Sequence, residues 1–242
     1  MKYKKINAKV GKYRVTIYEP KVAHSTKLGV VFGHCSPGAK EFYTWIGEDL
    51  ASNGILTLLY SVPLMDQLSK EVSKIIRKIQ GEEPPDRKFG LWLDGVRLSV
   101  AYLHNKYPTL KEIISIGHSM GGNACMGEID GVDKVVALAP GWDSSGIPER
   151  GVVNDVSKTC NVPTLILVGS KDGITGEQAS KNHYEQLPGK ASLYIIPEGT
   201  HSKFMNNGLP YFIAKLLMEP EGDIPIEDQH AITIEKILGW IK

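Results

Sequence analysis

The sequence has almost no charge excess, few cysteines and no long apolar run. Its 28 lysines and arginines nearly balance 27 aspartates and glutamates, leaving a net charge of +1. Binding to nucleic acid or to an anionic membrane through a surface field needs an excess of positive charge, so neither partner is expected. The three cysteines, Cys35, Cys125 and Cys160, are widely spaced and odd in number. They make neither a disulfide framework nor a Cys-x-x-Cys metal pair, and a reducing cytoplasm is the simplest compartment for them. No apolar stretch is long enough to span a bilayer, and the basic start Met1-Lys2-Tyr3-Lys4-Lys5 has no apolar run behind it. Stable membrane insertion and a signal peptide are therefore not expected. There is no P-loop, no Gly-x-Gly-x-x-Gly and no His-x-x-Glu-His spacing, so no nucleotide cofactor and no metal is expected.

What is present is a chain of 242 residues, 42% hydrophobic and 23% charged. That is enough for one sizeable core, and a single domain over 1–242 is the economical expectation. The most informative stretch is Ile113-Ile114-Ser115-Ile116-Gly117-His118-Ser119-Met120-Gly121-Gly122. Apolar β-formers run into Gly-x-Ser-x-Gly, and helix-tolerant residues follow: a buried strand, a sharp turn, then a helix. Such a turn stands the Ser119 hydroxyl clear of the sheet edge, and the next backbone N–H points toward the same small volume. An ordinary glycine-rich β–α turn reads the same way, so other residues must supply the chemistry.

Taken in order, Lys9 to Tyr18 alternates apolar and polar residues around Gly11-Lys12, which predicts two short strands and a turn. Leu28 to Gly33 and Ile55 to Tyr60 are continuous apolar runs, the mark of strands covered on both faces. Between them Phe42 to Asn53 has helical spacing and stops at Asn53-Gly54. Residues 61–90 are the least regular: Leu68, Val72, Ile75, Ile76 and Ile79 mark one face of a crossover helix or lid. Leu91 to Tyr107 predicts another amphipathic helix, with Leu91, Val96, Val100 and Leu103 inward. After the serine turn the helix is expected to run on to Ile129. Strands follow at Val132–Leu138, Pro163–Gly169 and Ala191–Ile196, with a helix from Gln178 to Leu187 and closing helices at Leu209–Met218 and Asp228–Lys242. The β-α-β alternation predicts an α/β fold with a mostly parallel central sheet of about eight strands and helices on both faces.

In open parallel sheets, ligands bind beyond the carboxyl ends of the strands. Ser119, Asp172, His201 and the His34–Gly38 loop all fall there, and the order Ser, Asp, His is that of an α/β-hydrolase triad. A serine hydroxyl is a weak nucleophile without a base in hydrogen-bond reach. His201 would be that base, and Asp172 would fix its tautomer and stabilise its charged form. Asp-Gly after a strand is also ordinary turn chemistry, and a loop histidine is also an ordinary surface residue. Of the other histidines, His34 reads as a structural hydrogen-bonder, His118 as pointing away from the reacting side of Ser119, His183 as part of a charged helix and His230 as a surface residue. The oxyanion of an acyl-transfer intermediate would be received by the Met120 N–H and by an N–H of the loop after the Leu28–Phe32 strand, Ser36 first and Cys35 second. Trp142 and Cys35 are the expected substrate-pocket residues, and Trp45 reads as packing.

At these residues the chain resembles the bacterial cutinase and polyester-hydrolase branch of the α/β-hydrolases, which is close to the dienelactone-hydrolase-like esterases. Gly117-His118-Ser119-Met120-Gly121-Gly122, Leu50-Ala51-Ser52-Asn53-Gly54, Ala139-Pro140 with Trp142-Asp143-Ser144-Ser145, and Val162-Pro163-Thr164-Leu165-Ile166 carry the likeness. It implies an eight- or nine-stranded sheet, carboxylic ester hydrolysis through Ser119, Asp172 and His201 without a cofactor, and a cleft lined by Trp142. Members that cleave polyesters usually carry an aromatic residue where this chain has Ser36, which shifts the expectation toward small and medium soluble esters. An acyltransferase or peptidase on the same triad, and a ligand-binding protein without turnover, are the alternatives.

Overall fold

The structure, a computed structural model, describes residues 2–21, 27–36, 38–63, 88–141, 156–206, 219–220 and 222–241. Its strands are β1 (Tyr3–Val10), β2 (Tyr13–Pro20), β3 (Leu28–Gly33), β4 (Leu56–Ser61), β5 (Glu112–His118), β6 (Lys134–Leu138), β7 (Thr164–Gly169) and β8 (Ala191–Ile196). They form one eight-stranded sheet in the order β1-β2-β4-β3-β5-β6-β7-β8. The β1–β2 hairpin is antiparallel and joins β4 antiparallel; every other pairing is parallel. The hairpin is longer than its alternation suggested, because exposed Lys4, Lys5 and Lys9 lie on an edge strand, where one side of the ladder meets water.

The apolar runs divide their side chains between two cores with the period of two that a strand imposes. Val31, Leu56, Leu58, Ile113, Val135 and Ala137 face one core; Val30, Phe32, Leu59, Ile114, Ile116, Val136 and Leu138 face the other. The first core is closed by α2 (Lys88–Lys106) and α3 (Met120–Cys125), the second by α1 (Thr44–Ser52) and α6 (Ile226–Ile241). On α2 the buried stripe is Leu91, Trp92, Val96, Val100 and Leu103. On α6 it includes Ile234, Ile237 and Ile241. Fully burying such a side chain contributes about 1.5–3 kcal/mol, so these stripes hold the helices on the sheet. Among the described residues the remaining helices are α4 (Val156–Thr159) and α5 (Glu177–Gln186), with 3-10 turns at Lys40–Tyr43 and Ser202–Phe204.

Two expectations change here. The helix after the serine turn ends at Cys125, not Ile129: Met126 and Gly127 bond back to the carbonyls of Asn123 and Ala124, a tightened final turn, and Gly131 then takes φ +79°. The segment before β7, expected as loop, contains α4. The expected helices on 64–87 and 209–218 lie outside the described residues. Because β3 to β8 run parallel, the loops after β3, β5, β6, β7 and β8 all open on one edge of the sheet, which brings together residues far apart in sequence.

Candidate active site

Ser119 sits between β5 and α3 with φ +56° and ψ −118°. A non-glycine residue at positive φ costs about 1–3 kcal/mol and persists only where the surroundings over-determine it. Here the Ser119 N–H donates to Leu138 O (2.9 Å), and its carbonyl accepts from Asn123 N–H (3.0 Å) and Gly141 N–H (3.4 Å). The flanking glycines allow the turn to close. A Cβ on Gly117 would lie 2.1 Å from Gly121 O, and one on Gly121 would lie 2.3 Å from Gly33 O. The Ser119 hydroxyl is half-buried and makes no hydrogen bond among the described residues.

Asp172 follows β7 with its side chain fully buried. Its Oδ1 accepts three backbone N–H groups, from Ile174 (3.0 Å), Thr175 (2.8 Å) and Gly176 (3.1 Å). Its Oδ2 accepts the Thr175 hydroxyl (3.0 Å) and His201 Nδ1–H (2.8 Å). Burial alone would raise the carboxyl's pKa. The charge and hydrogen bond of His201, with the backbone N–H groups, outweigh it and hold Asp172 below the usual carboxylate range, so it stays ionised.

His201 lies beyond β8 and is 3% exposed. With Nδ1–H given to Asp172, its Nε2 keeps a lone pair and has no hydrogen-bond partner among the described residues. The loop that carries it is fixed from the far end of the chain. The Gln229 side-chain amide pairs with both backbone groups of Thr200, at 2.9 Å each. The Glu219 carboxylate accepts the N–H groups of His201 and Ser202 and the Ser202 hydroxyl. The buried Lys203 amine donates to the carbonyls of Gly222 and Ile224, at 2.6 Å each.

The structure therefore joins His201 to Asp172 directly. The residue before Ser119, His118, has its ring 4.4 Å from that of His201, at 45°. No Ser119–His201 hydrogen bond is formed, a contact that often tightens only when substrate is bound. Met120 N–H stands at the first position of α3, and Ser36 N–H has no hydrogen-bond partner among the described residues. Cys35 N–H, the second choice for the oxyanion, donates instead to the Tyr43 hydroxyl (3.2 Å). Cys35 is 6% exposed and packs in the second core, with Sγ 3.8 Å from Met205 Sδ. Burial pushes its thiol pKa up to about 11, which rules out a thiolate nucleophile at neutral pH. Trp142 lies outside the described residues.

His34 is the structural hydrogen-bonder the sequence suggested, and His118, His183 and His230 are more deeply engaged than expected. His34 gives Nδ1–H to Cys35 O (2.6 Å) and accepts Val62 N–H at Nε2 (2.9 Å); burial lowers its pKa to about 4. His118 is fully buried against His201, Tyr43 and Phe204; burial first, and the nearby His201 charge second, hold it neutral. His183 Nε2 meets Gly141 O at 2.8 Å. His230 stacks on Trp45 with ring centres 3.8 Å apart. Sequence reading missed Thr175, Glu219 and Gln229. Only Thr175 left a local signal, an Asp-Gly-x-Thr turn in which the hydroxyl returns to the carboxylate. Among the described residues no group of three or more His, Cys, Asp or Glu side chains is placed to hold a metal, and no helix is long and apolar enough to cross a membrane.

An eight-stranded, mostly parallel sheet with an antiparallel hairpin at one edge, a strained serine after the central β5, an acid after β7 and a histidine after β8 defines the α/β-hydrolase fold, and this chain has it. Among solved structures it is similar to Est1E from Butyrivibrio proteoclasticus, with TM-score 0.65 and 18% identity over 98% of each chain. It is also similar to a dienelactone hydrolase from Anabaena variabilis ATCC 29413 (TM-score 0.61, 19% identity, 90% of this chain and 95% of that one). The esterase Pf2001 from Pyrococcus furiosus is comparable (TM-score 0.61, 14% identity, 99% and 91%). No protein-family model and no curated protein matches the chain.

Proposed function

We propose that this protein is a serine hydrolase of carboxylic esters. The observation that carries the reading is the His201–Asp172 pair: an ionised carboxylate satisfied by five donors fixes the imidazole so that Nε2 keeps its lone pair, as the base for Ser119 must. In the reaction, Ser119 Oγ attacks the ester carbonyl carbon as His201 Nε2 takes the hydroxyl proton. Asp172 stabilises the imidazolium, and the N–H groups of Met120 and Ser36 receive the oxyanion. His201 then protonates the alkoxide, the alcohol leaves, and an acyl-Ser119 ester remains. Water deprotonated by His201 attacks that ester, and the acid departs with Ser119 restored.

Small and medium acyl esters are the proposed substrates, with polyester cleavage weak because Ser36 supplies no aromatic wall. A structure of Est1E holds ferulic acid, so an aromatic acyl group belongs in the test. We place the activity in one domain and in a reducing compartment, where three buried cysteines outside any disulfide are expected. The test is hydrolysis of p-nitrophenyl esters from acetate to palmitate and of a feruloyl ester, with Ser119→Ala alongside. Loss of the nucleophile should lower kcat by about 10⁴–10⁶ at unchanged fold. Turnover that survives Ser119→Ala would overturn the mechanism, and binding without turnover would favour a ligand-binding protein.

A further inference from the structure

Between the oxyanion loop and the general base runs a chain of buried contacts, two hydrogen bonds and one ring packing, that the mechanism above does not use. Cys35 N–H donates to the Tyr43 hydroxyl at 3.2 Å, and that hydroxyl lies 2.7 Å from His118 Nδ1. The His118 ring then lies 4.4 Å from the His201 ring. Tyr43 and His118 are both fully buried. Cys35 adjoins Ser36, whose N–H is the proposed oxyanion donor, and His118 adjoins the proposed nucleophile.

A phenol has one hydrogen to give and lone pairs to share. One lone pair is taken by the Cys35 N–H, and the other lone pair or the O–H hydrogen meets His118 Nδ1, according to the imidazole tautomer. Either way the ring is held at Nδ1, while His118 Nε2 has no hydrogen-bond partner among the described residues. Leaving a buried polar atom unpaired is costly. The compensation visible here is that the ring is pinned at Nδ1 and held between His201 and Phe204, whose ring centre is 5.2 Å away. A neutral His118 also matters to its neighbour: a charged ring at that distance would oppose the imidazolium that His201 must become.

We propose that Tyr43 and His118 are positioning residues that lock the oxyanion loop to the general base, so that both donors and base are set before substrate arrives. The inference rests on the ester-hydrolase reading. Without the Tyr43 hydroxyl, Cys35 N–H loses its acceptor, the neighbouring Ser36 N–H is free to shift, and His118 is free to turn against His201. Losing one oxyanion donor outright costs about 10²–10³ in kcat, so displacing it should cost less, about 10–100-fold.

The experiment compares Tyr43→Phe, His118→Asn, His118→Leu and Tyr13→Phe with the wild type. Each is measured for kcat and KM on p-nitrophenyl butyrate and for the rate of Ser119 modification by a fluorophosphonate. Tyr13 supplies a control for lost stability, because its equally buried hydroxyl donates to Leu91 O on α2, away from this chain of contacts. Tyr43→Phe is expected to lose about 10–100-fold in kcat with KM within about threefold, and to react more slowly with the fluorophosphonate. Tyr13→Phe should keep its kcat. Asn places an amide group, able to accept or donate, near the position of Nδ1, so His118→Asn should retain more activity than His118→Leu. A Tyr43→Phe enzyme with wild-type kcat, a loss matched by Tyr13→Phe, or equal activity of the two His118 variants would overturn the proposal while leaving the hydrolase standing. A wild type that neither turns over esters nor reacts at Ser119 would overturn the hydrolase reading, and this inference with it.

Discussion

Replacing Asp172 by Asn tests the proposed catalytic geometry at its most constrained point. The substitution is nearly isosteric, but its two ends are not equivalent. The Oδ1 position receives three backbone N–H groups, so the amide oxygen must occupy it; the reverse orientation would set an NH2 against three donors. The amide NH2 is thereby forced into the Oδ2 position, facing His201 Nδ1 and the Thr175 hydroxyl. A donor now meets Nδ1–H. The imidazole responds by moving its proton to Nε2, and the base nitrogen loses the lone pair it needs. The expected cost is that of a wrong tautomer, about 10⁴ in kcat, or about 5.4 kcal/mol in activation free energy. Folding should suffer little, because the backbone N–H groups keep their acceptor. The assay is p-nitrophenyl ester turnover at neutral pH beside a thermal melt. A kcat within tenfold of wild type, with the protein folded, would refute the assignment of Asp172 as the residue that sets the His201 tautomer.

Acid should destabilise the fold before carboxylates titrate. Burial lowers His34 from 6.5 to about 4, and His230 likewise to about 4. Between those values the unfolded chain takes up protons that the folded chain refuses, so stability is full above pH 6.5 and drains away as pH falls toward 4. For fully buried His34 the loss amounts to about 3 kcal/mol below the lower value; a Tm that stays flat from pH 7 to 4 would contradict it. Gln229→Leu should cost about 2–4 kcal/mol, since it strips the partners from both backbone groups of Thr200 inside the fold. Urea unfolding reads that loss, and a change under 1 kcal/mol would show that Thr200 finds other partners.

The sheet was legible because its strands announce themselves twice. Leu28–Gly33, Ile113–His118 and Thr164–Gly169 are continuous apolar runs, and both faces of each are covered by helices. The short α3 was overextended for a physical reason: residues 126–129 look helix-compatible, but nothing in their spacing records that the chain must turn back to start β6 after Val132. α4 was missed because four residues cannot display a helical period. Trp92 was missed on the α2 stripe although it is 1% exposed, and its indole donates to His34 O at the oxyanion loop.

The site divides along the same line. The residues proposed for the chemistry, Ser119, Asp172 and His201, stand out in the sequence because each is announced by its own neighbours, a Gly-x-Ser-x-Gly turn or a loop just past an apolar strand. What fixes them is not local. Gln229 holds Thr200 from twenty-nine positions away, and Tyr43 reaches His118 across seventy-five. Neither contact leaves a pattern in the sequence, since a glutamine on an amphipathic helix and a tyrosine after a loop are unremarkable by themselves. His118 shows the consequence. Placed from the turn alone, it points away from the chemistry; placed by the sheet, its ring lies against His201, because β5 and the loop after β8 end at the same edge. In a parallel sheet the reacting groups can be read strand by strand, but the residues that hold them in register follow from which strand ends become neighbours.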